Sequence, residues 1–596
     1  MKVAFPVATS FIIYLSGLFA AVYFFKKAGL KIRENKLLIA VSFLLVAMLS
    51  LSVALINKED TLSAKLTTSN SFNDPLGPNI PIGEAKGVIP GRVVWIHNPD
   101  ATNENCTNNS QSDAYFQEKN TNQDVTDKMF SEGIKSLTGK ETHSEAWDAI
   151  FRYFNNQHEK GDVGYQSNET IFIKINAVTA YSGATPNGDM KSNTPVEYDT
   201  SPQAILTLLR QLVNEAKVPQ QNIYVGDPIA DIWNTLYNKF KAEFPDIKYV
   251  SKRNIPGRFK ITASSEKGIY YSDKGTVMDQ VSSHKFFNEM MNADYLINIP
   301  TMKGHRWGGV TFFAKNHFGS NTTDGSWQLH KGLMNPDNTG MRYGYNQYRV
   351  FVDLMGSKYL GGKTMLYFMD GLWSTSYEHQ KPQKFRSAPF NNDWCSSFVL
   401  SLDPVAIESV CLDILQKEFT VEDLTTKPPR YAFVQWDGVD DYLHQAASSE
   451  WWPEGISYDP DNGGTPLKSL GVHEHWNNPD DMKYSRNLGT GEGIELVMIE
   501  QNTSSNELLS NEIEGGIELF PNPVTNMATI RINELFEASA HATIYSIDGR
   551  QIRTFTIDAA VAKNGASVDL SALEKGNYIL QLQSGKNSYS TKFSRR

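Results

Sequence analysis

Between Gly91 and Phe419 the chain alternates short apolar runs of strand length with longer stretches of helical spacing. GRVVWIH (Gly91–His97), TIFIKINAV (Thr170–Val178), NIYVG (Asn222–Gly226), IKYV (Ile247–Val250), LINI (Leu296–Ile299), TMLYFM (Thr364–Met369) and SSFVLS (Ser396–Ser401) are rich in β-branched and aromatic residues and predict strands. Val125, Met129 and Ile134 recur at helical spacing over 124–137, as do Trp147, Ile150, Phe151 and Phe154 over 145–154. A further helix is expected to start at Ser201-Pro202, with Ser201 as N-cap and Ile205, Leu208, Leu209 and Leu212 on its apolar face. Another covers 231–244, and the last follows Asp403-Pro404 through VAIESVCLDILQKEF. Strand, helix and strand joined this way predict parallel βαβ units. The fold class read from the pattern is therefore α/β, a mostly parallel sheet with flanking helices.

Each predicted strand delivers a polar residue at its carboxyl end: Asn176, Asp227, Lys303 with His305, Asp370 and Asp403. In open α/β sheets ligands bind outside the carboxyl ends of strands, near a switch in strand order. Asp and Asn are also turn and cap residues, and Asp403 before Pro404 is read as a helix cap. The stretch YLINIPTMKGHRWGGVTFFAKNHFGS (Tyr295–Ser320) holds the Lys-x-His spacing twice, at Lys303/His305 and Lys315/His317. Residues two apart in extended chain share a face, so each pair is placed to aim an ammonium and an imidazole at one spot. The candidate catalytic residues are His305, His317 and Asp227; the candidate ligand-binding residues are Lys174, Asn176, Lys303, Arg306, Lys315, Asn316 and Asp370. An imidazole titrates near neutral pH, which makes His305 or His317 the expected proton carrier. The chemistry fits an anionic small molecule or polymer, with enzyme and plain binding protein both open. Trp451, Trp452 and Trp476 offer an alternative, stacking on a glycan or packing a partner. His473 and His475 form a His-x-His pair, the candidate residues for a divalent metal.

At 596 residues the chain exceeds one ordinary domain. Its divisions read as 1–56 (two apolar segments), 57–82 (linker), 83–501 (α/β domain), 502–516 (linker) and 517–596 (a small all-β unit). The β unit carries strand candidates TIRINEL, HATIYSI, RTFTI, SVDL, NYILQLQ and SYSTKFS between DG, NG and KG turns. A net charge of −10 argues against nucleic acid as a partner. Three cysteines, Cys106, Cys395 and Cys411, cannot build a four-cysteine iron–sulfur cluster, so none is expected, and they allow at most one internal disulfide.

Residues 5–25 and 37–56 are each long enough and apolar enough for a bilayer-spanning helix. The basic loop between them, KKAGLKIRENK, would stay inside and send the remaining chain out across the inner membrane. A cleaved signal peptide built on 37–56, with Ser52-Val53-Ala54 as its cleavage site, gives the same destination.

LFPNPVTNMATIRI, ATIYSIDGRQIRTF and VDLSALEKGNYILQLQSGKNSYSTKF resemble the type A C-terminal sorting domain of the type IX (Por) secretion system of Bacteroidota. The resemblance implies an Ig-like β-sandwich, the type IX machinery as partner, and delivery to the cell surface or medium. Release favours the cleaved signal over a permanently anchored hairpin. IKINAV, the Ser-Pro helix with VGDP, NIPTMKGHRWGGVTFFAKNHFGS, LYFMDGLW and SLDPVAIESV resemble the domain-of-unknown-function 362 family. Some of its members carry ferredoxin-like cysteine motifs, which this chain lacks.

Overall fold

Runs such as IFIKI and YLINI are apolar on both faces, so each strand needs cover above and below. In the computed structural model these two strands lie in the middle of a sheet and are buried at every position. The structure describes residues 74–501, apart from 275–284, 323–325, 337, 339 and 421–429. It also describes 517–596, apart from 533–538, 547–549, 559–560, 562–564 and 585–586. The apolar runs 5–25 and 37–56 and the linker 502–516 lie outside the described residues. Among the described residues no helix is long and apolar enough to cross a membrane.

The strands of the α/β region are β1 (Ile82–Gly83), β2 (Arg92–His97), β3 (Ile171–Ile175), β4 (Ile223–Gly226), β5 (Lys248–Ser251) and β6 (Phe259–Lys260). They continue with β7 (Tyr295–Ile299), β8 (Thr301–His305), β9 (Gly309–Thr311), β10 (Thr364–Thr375), β11 (Ser397–Ser401), β12 (Val472–His473) and β13 (Glu495–Glu500). The main sheet has the order β13-β2-β11-β10-β7-β3-β4-β5-β6, with β8 and β9 branching from β10. From β10 to β6 every neighbouring pair is parallel. The sheet as a whole is mixed, which corrects the expectation for SSFVLS: β11 runs antiparallel to both β10 and β2. Residues 376–396 between β10 and β11 contain no helix, and a return without a crossover helix is antiparallel. Asp403 therefore leaves the sheet at the edge opposite the carboxyl ends of the parallel strands.

Two features position the site. After β3 the chain steps outward through β4 and β5, then returns to lay β7 on the other side of β3. This reversal of strand order opens a crevice beyond the carboxyl ends of β3 and β7. In addition, β10 is longer than its apolar core predicts, twelve residues instead of six, so Asp370 sits in mid-strand and not at an end.

Helices α1 (Gln123–Thr138), α2 (His143–Gln157), α3 (Pro202–Arg210), α4 (Asn234–Glu243) and α5 (Pro404–Glu418) flank the sheet. Thr142 and Glu145 form a reciprocal capping box at α2. Ser201 does not cap α3 with its side chain; its N–H instead donates to Asp370 Oδ2 at 2.6 Å. Asp403 does cap α5, accepting from Val405 N at 3.0 Å and Ala406 N at 2.9 Å. Its second oxygen accepts from Lys86 N at 2.8 Å and Val472 N at 3.2 Å. The end of the 57–82 stretch is held as well: β1 pairs with β12, and Asn79 N donates to His475 O at 2.9 Å.

The C-terminal region is all-β. All six expected strands form, and a seventh, Ile517–Phe520, pairs with Met527–Ile532. Three strands make one sheet and four another, and residues of both, such as Ile530, Ile544, Val568 and Leu580, share one core.

Asp403→Ala removes the acceptor of four backbone N–H groups from three chain segments. Chemical denaturation is expected to show a loss of about 2–4 kcal/mol, more than a solvent-exposed cap supplies.

Candidate functional site

Strand β3 brings Lys174 to its carboxyl end fully buried, and β4 ends one residue before Asp227. The Lys174 ammonium lies 3.1 Å from Asp227 Oδ2 and donates to Asn316 Oδ1 at 3.1 Å and to the Ile175 carbonyl at 2.6 Å. Asn316 Oδ1 also accepts from Asn176 Nδ2 at 3.1 Å, and Asn316 Nδ2 donates to Asn298 Oδ1 at 2.7 Å. Asp227 Oδ2 accepts in addition from Ala177 N at 3.2 Å. A Cβ on Gly319 would stand 2.7 Å from Asp227 Oδ1 and 3.1 Å from Lys174 Nζ, so the turn covers this ion pair only because it carries no side chain there.

The residues after Pro300 form a hairpin, not a loop. β8 pairs with β9, and Gly309 at the start of β9 adopts φ +74°, which glycine takes without strain. Lys303 and His305 therefore do share a strand face. Lys303 Nζ donates to Asn176 Oδ1 at 3.2 Å and to the Tyr198 carbonyl. His305 Nδ1 accepts from Trp307 N at 3.1 Å and Gly308 N at 3.2 Å. The ring proton of neutral His305 is thus on Nε2, which lies 3.8 Å from Glu378 Oε1. Glu378 also accepts from Arg306 N at 2.9 Å and lies 3.2 Å from Arg306 Nε.

These groups line a cavity of about 210 Å³, together with Lys315, Thr311 and His330. Such a space holds the equivalent of about seven waters. His330 Nδ1–H donates to the Ser326 carbonyl at 3.0 Å, leaving a lone pair on its Nε2. The Thr311 hydroxyl is buried with no hydrogen-bond partner among the described residues. The Lys315 ammonium lies 4.0 Å from the centre of the Phe318 ring, and none of its hydrogen bonds goes to another described residue.

Burial governs the electrostatics. It lowers the Lys303 amine, partly opposed by Asp199 and Glu197, and brings Lys315 down to about 7. Lys303 and Lys174 push Lys315 the same way. Burial also lowers His305 well below the usual imidazole range, reinforced by Lys315, and brings His330 to about 3. The carboxyl of Glu378 is raised by burial. Burial thus brings Lys315 toward the neutral range, whereas the sequence pointed to the histidines.

Seven expected residues meet at this cavity: Asn176, Asp227, Lys303, His305, Arg306, Lys315 and Asn316. Lys174 stands behind it as the partner of Asp227. Two do not reach it. Lys315 and His317 lie on consecutive helical turns (Phe313–Asn316 and His317–Ser320), so their spacing no longer means a shared face. His317 Nε2 accepts from Asn298 at 3.1 Å and its Nδ1 donates to Ser320 Oγ at 3.0 Å, and burial lowers it to about 3. Asp370 is buried in mid-strand, accepting from Tyr198 Oη at 2.7 Å and Ser201 N at 2.6 Å. His473 and His475 belong to a separate cluster described below. Of the three tryptophans, Trp451 stacks on His444, Trp452 packs edge-on against Tyr458, and Trp476 is buried beside Tyr484. Thr311, His330 and Glu378 were missed. Glu378 lies three residues past the true end of β10, so a longer reading of that apolar run would have exposed it.

Residues 171–413 match the model of the domain of unknown function DUF362, and residues 518–594 match the secretion system C-terminal sorting domain. The chain carries a DUF362 domain followed by a type IX sorting domain. The DUF362 match spans the strands and turns that build the cavity, from β3 through α5. The sorting domain makes this an exported protein that engages the type IX secretion machinery. No curated protein matches the chain. The solved sulfur carrier protein SoxY from Chlorobium limicola f thiosulfatophilum aligns at 13% identity over 14% of this chain and 79% of its own, with a TM-score of 0.11. A likeness that weak carries no argument.

Lys174→Met leaves Asp227 as an uncompensated buried charge. Urea denaturation is expected to show a loss of about 3–5 kcal/mol, with the double variant Lys174→Met/Asp227→Asn recovering part of it.

Proposed function

We propose that the DUF362 domain binds a small carboxylate- or phosphate-bearing molecule in this cavity and that Lys315 acts on it as a proton carrier. Lys303, Lys315 and Arg306 supply positive charge, against Glu378 as the one lining carboxylate not matched by a buried lysine. The Thr311 hydroxyl, the His305 Nε2–H and the His330 Nε2 lone pair supply neutral hydrogen-bonding positions of both kinds. The observation that carries the reading is Lys315: a lysine in the cavity with no hydrogen bond to another described residue, its amine brought to about 7. An amine in that range both accepts and donates a proton at working pH. This observation supports reading the protein as an exported acid–base enzyme acting next to an anionic group.

The sign of the pH dependence follows directly. An anion prefers the ammonium form, so affinity is highest below pH 7 and falls as pH rises and Lys315 deprotonates. With sulfate, whose charge is constant over this range, calorimetric titration from pH 6 to 9 is expected to show affinity falling by up to about tenfold per pH unit above 7. Lys315→Met weakens binding and flattens that profile; a pH-independent wild-type affinity would sink the assignment. Proton-carrier chemistry is read separately, by NMR, as Lys315-dependent deuterium exchange into a bound small carboxylate in heavy water.

Deleting residues 518–594 is expected to leave the protein inside the cell envelope, checked by surface labelling of the intact and truncated chains.

A further inference from the structure

Outside the cavity, a second polar cluster joins three separate parts of the chain. Asp74 precedes β1, Asp440 and His444 lie at helix Asp441–Ala447, and His473 and His475 lie on and after β12. The side chains of Asp74, Asp440 and His444 are 4%, 0% and 0% exposed. Oxygen and nitrogen atoms of Asp74, Asp440 and His444 lie within 4.8 Å of one another.

With His475 neutral, the hydrogen-bond roles leave acceptors facing one another. The Ser409 hydroxyl donates to the Val405 carbonyl at 2.8 Å, so it accepts from His473 Nδ1–H at 2.8 Å. That fixes a lone pair on His473 Nε2, which is buried and meets no hydrogen-bond partner. His475 Nδ1 lies 2.5 Å from Asp413 Oδ1, while Asp413 Oδ2 accepts from Trp476 N at 3.1 Å and Tyr484 Oη at 2.8 Å. His475 Nδ1 therefore carries a proton, and its Nε2 faces Asp74 Oδ2 at 2.9 Å and Asp440 Oδ2 at 3.4 Å. His444 Nε2 lies 3.3 Å from Asp74 Oδ1 without hydrogen-bond geometry. Neither ring nitrogen of His444 and neither oxygen of Asp440 makes a well-formed hydrogen bond among the described residues. Buried acceptors are costly unless something positive stands between them.

We propose that this cluster is a binding site for a divalent transition metal of the zinc type, with Asp74, Asp440, His444 and His475 as ligands. Donor atoms at about 2.0–2.1 Å from one tetrahedral ion lie about 3.3 Å apart. His444 Nε2 to Asp74 Oδ1 at 3.3 Å and His475 Nε2 to Asp440 Oδ2 at 3.4 Å match that edge, while His475 Nε2 lies 2.9 Å from the other Asp74 oxygen, Oδ2, so Asp74 meets the two histidines with different oxygens. Imidazole with carboxylate selects zinc and its neighbours over calcium or magnesium, which take oxygen ligands. Asp413 on His475 Nδ1 supplies the carboxylate–histidine support that orients metal-bound histidines. His473 flanks both other imidazoles, its ring centre 4.8 Å from that of His444 and 5.0 Å from that of His475. The ion would pin the segment ahead of β1 to the helix and strand that receive it. The three cysteines, all free and buried, provide no such tie.

The full chain, stripped with dipicolinate and reloaded with zinc or cobalt, tests this. A single ion per chain is expected after gel filtration, cobalt giving the visible d–d bands of a tetrahedral site, and stripping lowering the melting temperature reversibly. Asp413→Asn is expected to weaken metal affinity by about 10–100-fold. His444→Gln and Asp440→Asn lose the cobalt spectrum while the sulfate site in the cavity, a check on folding, is retained. Wild-type protein that holds no zinc, cobalt or manganese and melts unchanged on their addition overturns the proposal and leaves an imidazolium–carboxylate cluster. Undiminished metal binding in both variants overturns it equally.

Discussion

The ion pair between Lys174 and Asp227 is the constraint on which the carboxyl edge of the sheet depends. Taking two charges out of water is expensive, and attraction offsets that only when the remaining donors and acceptors are also satisfied. Here the satisfaction comes from Asn316, Ile175 and Ala177, so the 313–320 segment, through Asn316, is part of what holds the pair. Gly319 lets that segment approach closely enough. The same turn that brings Asn316 to Lys174 presents Lys315 to the cavity. The scaffold and the lysine in the cavity are thus two consequences of one loop conformation, set by a buried ion pair of which only Asp227 borders the cavity.

A second consequence is electrostatic. With Asp227 committed to Lys174, the cavity keeps Lys303, Lys315 and Arg306 against Glu378. Lys303 is held by Asn176 and a carbonyl, and Arg306 reaches toward solvent, where its charge is tolerated. Lys315 has no hydrogen bond to another described residue, and burial lowers its amine, opposed by Glu378 and reinforced by Lys303 and Lys174. Neutral histidines at 305 and 330 fit the same picture, since further cations would be added to a low-dielectric space already short of anions. On the proposed reading, an anionic ligand would reverse this balance and so couple its binding to protonation of Lys315.

Much of this was legible from the residues. Strand ends carrying Asn176, Asp227 and the Lys303/His305 pair converge because parallel strands share an edge and a reversal in strand order opens it. The sorting domain was legible from its turns and motifs, with only IELF missed ahead of the Pro-Asn-Pro turn. Failures trace to what local pattern cannot encode. TMLYFM gives no signal that DGLWST continues the strand, so Asp370 was taken for an end and Glu378 overlooked. Lys-x-His has one meaning in a strand and another across two helical turns, and VTFFA did not reveal where the change occurs. Proton positions were least legible, because depth of burial, which moved titration from imidazole to Lys315, is a property of the assembled fold.

Export bears on what the cavity holds. A type IX cargo is delivered beyond the cytoplasm, where a cytoplasmic nucleotide is a poor candidate for the cavity. On the proposed reading, small organic or inorganic anions suit its charge. The same destination bears on stability: an exported α/β domain with buried, unpaired thiols must hold its leading segment by other means. A polar cluster joining Asp74, ahead of β1, to His444 and His475 ties that segment to the domain with ligand-competent groups, where extracellular domains more often use disulfides.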